Sequence, residues 1–221
     1  MRTIRLLLSA FACLLLAVAA HAQTPAGNEN FGLINPPQAT ITGKKVEVIE
    51  FFAYYCPHCN ALDASLNDWV KAQGDNIVFK RVHTTISGEA VPQQRLFYTL
   101  EAMGKEDEYH SKIFNAIHVE KQHLDSDEDI IAFMVKQGVD KQQFTDIYNS
   151  FSVQSKVQNA LRMQIGYGVR SWPTIVFDGR FFTSPPLAGA KMQPYQENIA
   201  QNLMLKAMDQ MVANLHQARA Q

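Results

Sequence analysis

Cysteine is scarce in this chain, with three in 221 residues. Three cannot staple a disulfide scaffold, and they cannot supply a four-cysteine zinc site. Net charge is scarce too. Twenty basic residues face 21 acidic ones, for a formal charge of −1. That balance gives no electrostatic draw toward nucleic acid, and no such partner is expected. Internal repeats and low-complexity tracts are absent. What is present is 47% hydrophobic and 19% charged residues. This is the composition of a globular domain long enough to bury a core.

One long apolar run exists, at residues 6–20. Arg2 and Arg5 precede or open it, and Ala20-His21-Ala22 follows. A positive start, an apolar middle and a small-x-small end predict a secretory signal peptide over residues 1–22, cleaved after Ala22. The run falls short of the about 20 residues that cross a bilayer comfortably. Cleavage removes Cys13 and leaves Cys56 and Cys59. An exported protein enters a compartment where disulfides persist. A lone CxxC there points to a redox centre rather than a reduced metal clip.

The mature chain opens with a polar stretch over residues 23–30. Residues 31–34 read as a short edge strand stopped by Pro36-Pro37. The β-branched and aromatic run 46–52 predicts a buried strand. A helix follows Cys56, with Leu62, Leu66, Trp69 and Val70 on one side and Gly74 as its stop. Residues 77–82 alternate as a second core strand, completing a βαβ unit. Over residues 87–163 only helical patterns occur, five of them, one opened by a capping box at Ser126-x-x-Asp129. Strands return at 174–177 and 180–183 around the hairpin turn Asp178-Gly179. Pro194 is expected at the first turn of a long last helix carrying Met204, Met208, Met211, Val212 and Leu215. A βαβ half and a ββα half make a thioredoxin fold of class α/β. Its parts are expected at 23–86 and 164–221, with an all-helical insertion at 87–163.

Cys56-Pro57-His58-Cys59 sits where the first core strand gives way to the helix. Pro57 suits the first helical position, which makes Cys56 the N-cap. Its sulfur then faces free N–H groups and the positive end of the helix dipole, and His58 adds to the pull. A stabilised thiolate forms mixed disulfides readily and is a good leaving group, so the pair is an oxidant. Cys56 is expected to be exposed and acidic, and Cys59, one turn further in, to be its less accessible partner. Asn60 after the second cysteine excludes a c-type haem attachment. The histidines at 83, 110, 118, 123 and 216 show no metal-ligand spacing and read as solvated or structural. Pro173 directly precedes a strand, and a cis Trp172–Pro173 bond is expected beside the cysteines. Glu50 lies in an apolar strand. Buried, it would have a raised pKa and could relay a proton for Cys59. Lys80 and Arg81 are both open as its partner.

The signal segment, Glu50-Phe51-Phe52-x-Tyr54-Tyr55-Cys56-Pro57-His58-Cys59, the helical insertion and the Pro173-Thr174 strand entry resemble the DsbA family of periplasmic thiol:disulfide oxidoreductases. The resemblance covers nearly the whole mature chain. It implies that Cys56 is the nucleophile, Cys59 its partner, His58 the thiolate stabiliser, Pro173 the cis-proline and Glu50 the buried acid. It implies no cofactor or metal beyond a redox-active Cys56–Cys59 disulfide. The partners implied are reduced or unfolded exported proteins and a DsbB-type inner-membrane reoxidant, with the protein a monomer in the periplasm. Trp172 departs from the pattern, since a small or β-branched residue usually precedes the cis-proline. That leaves open a specialised DsbL-like oxidase. Two other readings remain at this point: a reductase or isomerase on the same scaffold, and a non-catalytic chaperone or metal carrier. Only about 20 residues separate Gln23 from the first core strand, so the dimerisation domain of the DsbC and DsbG isomerases is not expected.

Overall fold

The computed structural model describes residues 29–88 and 91–220. The expected signal peptide, its cleavage point after Ala22 and Cys13 lie outside the described residues.

Strand β2, Val46–Phe52, is buried along its whole length inside a five-stranded sheet. Its run of β-branched and aromatic side chains suits a strand covered on both faces. The chain leaves β2 through helix α1, Pro57–Gln73, and returns as β3, Ile77–His83, parallel to β2. Gly74, at φ 50°, ends α1 and donates its N–H to the Val70 carbonyl. On the other side of β2 lies β4, Thr174–Phe177, antiparallel to it. A hairpin joins β4 to β5, Phe181–Thr183, and the short β1, Gly32–Leu33, closes that edge. The order is β1-β5-β4-β2-β3.

The hairpin turn is Asp178-Gly179, at φ 49° and 62°. Both angles are positive, as a two-residue turn that follows the strand twist requires. A Cβ at Gly179 would also strike the backbone carbonyl of Gln38. Arg180 belongs to this turn and not to the returning strand, because its N–H closes onto the Phe177 carbonyl at 3.0 Å.

Between β3 and β4 run five helices: α2 Pro92–Ala102, α3 Glu106–His118, α4 Asp127–Lys136, α5 Lys141–Tyr148 and α6 Phe151–Gly166. Ser126 caps α4, accepting the Asp129 N–H at 3.1 Å. Helix α6 runs past Met163, where the sequence pattern ends it. A four-residue helix, α7 (Pro185–Ala188), follows β5 and has no counterpart in the sequence reading. The last helix, α8, spans Glu197–Ala220 and starts later than Pro194. Bonds from the Met192 N–H to the Gly189 carbonyl (2.9 Å) and from the Gln196 N–H to Met192 Sδ (3.1 Å) hold the preceding residues in turns.

The sheet separates two apolar cores. One joins Val46 and Val48 to Leu62 and Leu66 of α1 and to Met204, Met208 and Met211 of α8. The other joins Ile49, Phe51 and Phe52 to the helices α2–α6 through Phe97, Phe114 and Tyr148. This second core anchors the segment that carries the cysteines.

Candidate active site

Past β2 the backbone is held on both sides at Tyr54. Its N–H donates to His83 Nε2 at 3.1 Å, and His118 Nε2 donates to its carbonyl at 2.8 Å. His83 Nδ1 faces the Thr84 carbonyl at 3.0 Å, which sets the tautomer with Nε2 free to accept. Burial pushes the His83 pKa down to about 3, so the ring stays neutral and keeps that role. Cys56 then turns the chain, its N–H donating to the Ala53 carbonyl at 3.0 Å.

Cys56 is the N-cap of α1, with extended backbone (φ −83°, ψ 116°) and Pro57 as the first helical residue. The Cys59 N–H donates to its sulfur at 3.4 Å. Its thiol donates in turn to the Trp172 carbonyl at 3.6 Å. Both cysteines stand as free thiols. The Cys56 pKa falls from the ordinary 9.0 to about 6. The largest cause is the hydrogen bond from the Cys59 side chain, opposed by burial. The N–H groups of Cys59 and His58 follow, and the charge of His58 comes last. Cys59 is fully buried, and burial followed by the hydrogen bond with Cys56 pushes its thiol far up.

Two expectations change here. Cys56 is only 5% exposed, because the Trp172 backbone lies against its sulfur. His58 contributes less than expected: its side chain is exposed, Nδ1 meets Glu197 Oε1 at 2.6 Å, and its charge is the smallest of the causes that lower the Cys56 pKa. Glu197 opens α8, far away in sequence, and nothing near the cysteines signals it.

Glu50 is buried, as expected, and burial raises its carboxyl pKa to about 7 against the pull of Arg81. The strand register settles its partner. Glu50 pairs with Arg81 across the β2–β3 ladder, and Arg81 Nε donates to Glu50 Oε2 at 3.0 Å. Lys80 projects to the other face and bonds Glu47 Oε2 at 2.6 Å. The Glu50 charge is felt at Cys59, where it favours the neutral thiol.

The Trp172–Pro173 bond is cis, and so are Asn35–Pro36 and Gln193–Pro194, which the sequence does not announce. Pro173 is buried and Trp172 half-buried, its ring edge-on to Tyr55 at 6.2 Å between centroids. Thr174 sits opposite Phe51 in the β2–β4 ladder, which carries this loop to the cysteines. Among the described residues, no group of three or more His, Cys, Asp or Glu side chains is placed to hold a metal ion.

Comparison with known proteins adds to this geometry. Residues 72–198 match the DSBA-like thioredoxin domain, a span that begins after the cysteines. The thiol:disulfide interchange protein DsbA of Burkholderia cepacia is 41% identical over 167 residues, covering 75% of this chain and 79% of that protein. The crystal structure of Pseudomonas aeruginosa DsbA superposes with a TM-score of 0.75 at 28% identity, over 87% of this chain and 95% of that one. Proteus mirabilis DsbA, solved with a non-covalently bound peptide, shares the fold with a TM-score of 0.69 at 20% identity, over 86% of this chain and all of that one.

Proposed function

This chain belongs to the DSBA-like thioredoxin family and is a thiol:disulfide oxidoreductase that oxidises substrate cysteines without a bound cofactor, and we propose that its Cys56–Cys59 pair is the disulfide it hands over. A substrate thiolate attacks the Cys56 sulfur. The Cys56–Cys59 bond breaks, and Cys59 leaves with the electron pair and takes up a proton. A second substrate thiolate then attacks the mixed disulfide at the substrate sulfur, releasing Cys56 as thiolate. The substrate loses two electrons and the enzyme gains them, so one disulfide is exchanged for another.

One observation carries this reading: the Cys56 sulfur caps α1 and its pKa is lowered to about 6, while Cys59 beneath it is held neutral. Cys56 is therefore the leaving group in the second attack, and Cys59 the thiol that must be protonated in the first. Pro57 starts the helix. His58 adds a smaller share to the thiolate. Glu50, buried with a carboxyl near pKa 7, is the proton donor for Cys59.

The Trp172 carbonyl, now taken by the Cys56 thiol, is the acceptor for the N–H of a docked peptide once that sulfur has reacted. Trp172 and Pro173 thus form the docking wall. The substrates are reduced proteins entering the periplasm, and a DsbB-type membrane protein takes the electrons away. The leader 1–22 is cleaved after Ala22 and the mature protein is a monomer, built as 23–86, 87–163 and 164–221, the middle part being helices α2–α6.

The test is equilibration of the purified protein against glutathione, with oxidation of a reduced, unfolded model protein alongside. A couple more oxidising than glutaredoxins, at or above about −200 mV, is expected. A potential near that of thioredoxin, about −270 mV, would make the protein a reductase and overturn the proposal.

A further inference from the structure

Behind Cys59 lies a cluster of charge that thiol exchange alone does not require. Arg81 is 7% exposed at its side chain and forks three ways. Its Nε holds Glu50 at 3.0 Å and its Nη1 holds Glu106 Oε1 at 3.0 Å. Its Nη2 meets Asn67 Oδ1. Among the described residues, no other guanidinium or ammonium pairs with Glu50 or Glu106. One cation therefore serves two carboxylates.

The remaining groups in the cluster do not relieve this shortage. Asp63 of α1 faces His110 of α3, with Nε2 3.2 Å from Oδ1, and also accepts from Ser111 at 2.7 Å. Burial lowers the pKa of His110, which leaves it neutral and unable to balance a carboxylate. His110 Nδ1 lies 3.5 Å from Glu106 Oε1 and 3.1 Å from the Tyr54 hydroxyl, whose own pKa burial raises, so neither neutral ring balances the Glu106 charge. Asp107 adds negative charge beside Glu106. Side-chain exposure rises outward from 3% at Glu50 through 7% at Arg81 to 21% at Glu106. Arg81 and Glu106 also line a cavity of about 660 Å³ between the sheet and the helical block.

We propose that Glu106 is a positioning residue of the redox reaction: by sharing the Arg81 guanidinium it keeps the Glu50 carboxyl a proton donor for Cys59. A guanidinium given wholly to Glu50 would hold it as carboxylate, and a carboxylate cannot protonate the leaving Cys59 sulfur. Burial does most to favour the protonated Glu50 and the charge of Asp63 comes next; Glu106 adds its own smaller charge and competes for that guanidinium from the wetter side. The helical block thereby reaches into the chemistry of the thioredoxin core through one side chain. The inference rests on the reading of Glu50 as the acid that serves Cys59.

The test follows the Glu50 carboxyl carbon by ¹³C NMR against pH in the oxidised protein. In the wild type it should titrate at about 7, and Glu106→Gln should move it down toward the ordinary carboxylate range. Glu106→Asp, which keeps the charge, should restore it. A fall of one pH unit takes the protonated fraction at about pH 7 from about one half to about one tenth. The rate of substrate oxidation should then drop about fivefold at that pH and recover in acid. An unmoved Glu50 titration in Glu106→Gln overturns the inference. The wild type decides the matter even if that variant does not fold: Glu50 and Glu106 should each show two-step curves with shared inflections, and independent single-step curves overturn it. Glu50→Gln separates the two claims. A wild-type pH–rate profile in Glu50→Gln overturns the acid role of Glu50, whereas a changed profile beside an unmoved Glu50 titration in Glu106→Gln overturns the role of Glu106 alone.

Discussion

Reducing the Cys56–Cys59 pair should make the folded protein's stability depend on pH in a window set by the two thiols. Cys56 has a folded pKa of about 6 against an ordinary 9.0. Its folded pKa is depressed, so the stabilisation it brings is complete above the unfolded value and is lost as pH falls through about 6. The full difference corresponds to about 4 kcal/mol. The shift belongs to the pair, since the hydrogen bond that lowers the Cys56 pKa raises that of Cys59. Shared in this way, the expected gain is about 2 kcal/mol. Cys59 works the other way. Its folded pKa lies far above the ordinary 9.0, so the unfolded chain gains by ionising above about pH 9 while the folded chain does not. The reduced protein should therefore gain stability from about pH 6 to about pH 9 and lose it beyond.

The oxidised protein is the control, because neither sulfur titrates in it. Guanidinium melts of both forms at about pH 5, 7 and 8.5 give the difference in unfolding free energy directly. That difference should rise by about 2 kcal/mol in favour of the reduced form across the range. The same free energy, entered as a reduction potential, is about 40 mV of extra oxidising power. A difference that is flat or falls with pH would show that the helix end does not hold the Cys56 thiolate, and the redox argument would fall with it.

Two further outcomes are expected. Replacing His58 with Ser should raise the Cys56 pKa by less than about 1 unit and leave the protein an oxidant, since the Cys59 hydrogen bonds and the helix N–H groups outrank the His58 charge; thiolate absorbance at 240 nm reads this, and a return to about 9 would make His58 the main source. Trp172→Val should change which reduced proteins are oxidised fastest while leaving the Cys56 pKa near 6, because Trp172 meets Cys56 through its backbone carbonyl and Tyr55 through its ring; competition between two model substrates checks it, and an unchanged preference removes the ring from the docking wall.

What the sequence makes legible here is whatever local chemistry decides. The run Val46–Phe52 is a strand in the places expected, because β-branched and aromatic residues without a break leave no alternative for so short a segment. Asp178-Gly179 makes its turn because its two positions tolerate positive φ. Cys56 caps α1 because Pro57 begins it. What stays hidden depends on contacts distant in sequence. Lys80 and Arg81 are equal candidates for Glu50 until the β2–β3 register assigns one to each face. Glu197 reaches His58 from the far end of the chain. The burial of Cys56 is the work of the Trp172 backbone, and a backbone contact leaves no mark in residue type. Helix α7 is four residues long, too short for any periodicity to appear.

The opposite tendencies of the two cysteines follow from their being three residues apart at a helix start. The N-cap side chain of a helix is addressed by the N–H groups of the second and third helical residues. Here those are His58 and Cys59, and both favour charge on Cys56. Pro57 has no N–H to lose at the first position, so it costs the cap nothing and presets the turn. Cys59 is itself the third helical residue. Its N–H is spent on its partner's sulfur, and its own sulfur is carried one turn inward, beneath the cap and into the second core. There it meets burial, the hydrogen bond and charge of Cys56 and then the charge of Glu50, all of which oppose ionisation. The separation of the two thiols is thus built from the hydrogen bond between the two sulfurs, from burial and from backbone geometry, with His58 as an adjustment. Inserting one residue between the cysteines would move Cys59 off the third position, take away the N–H that steadies Cys56, and bring the two pKa values toward each other.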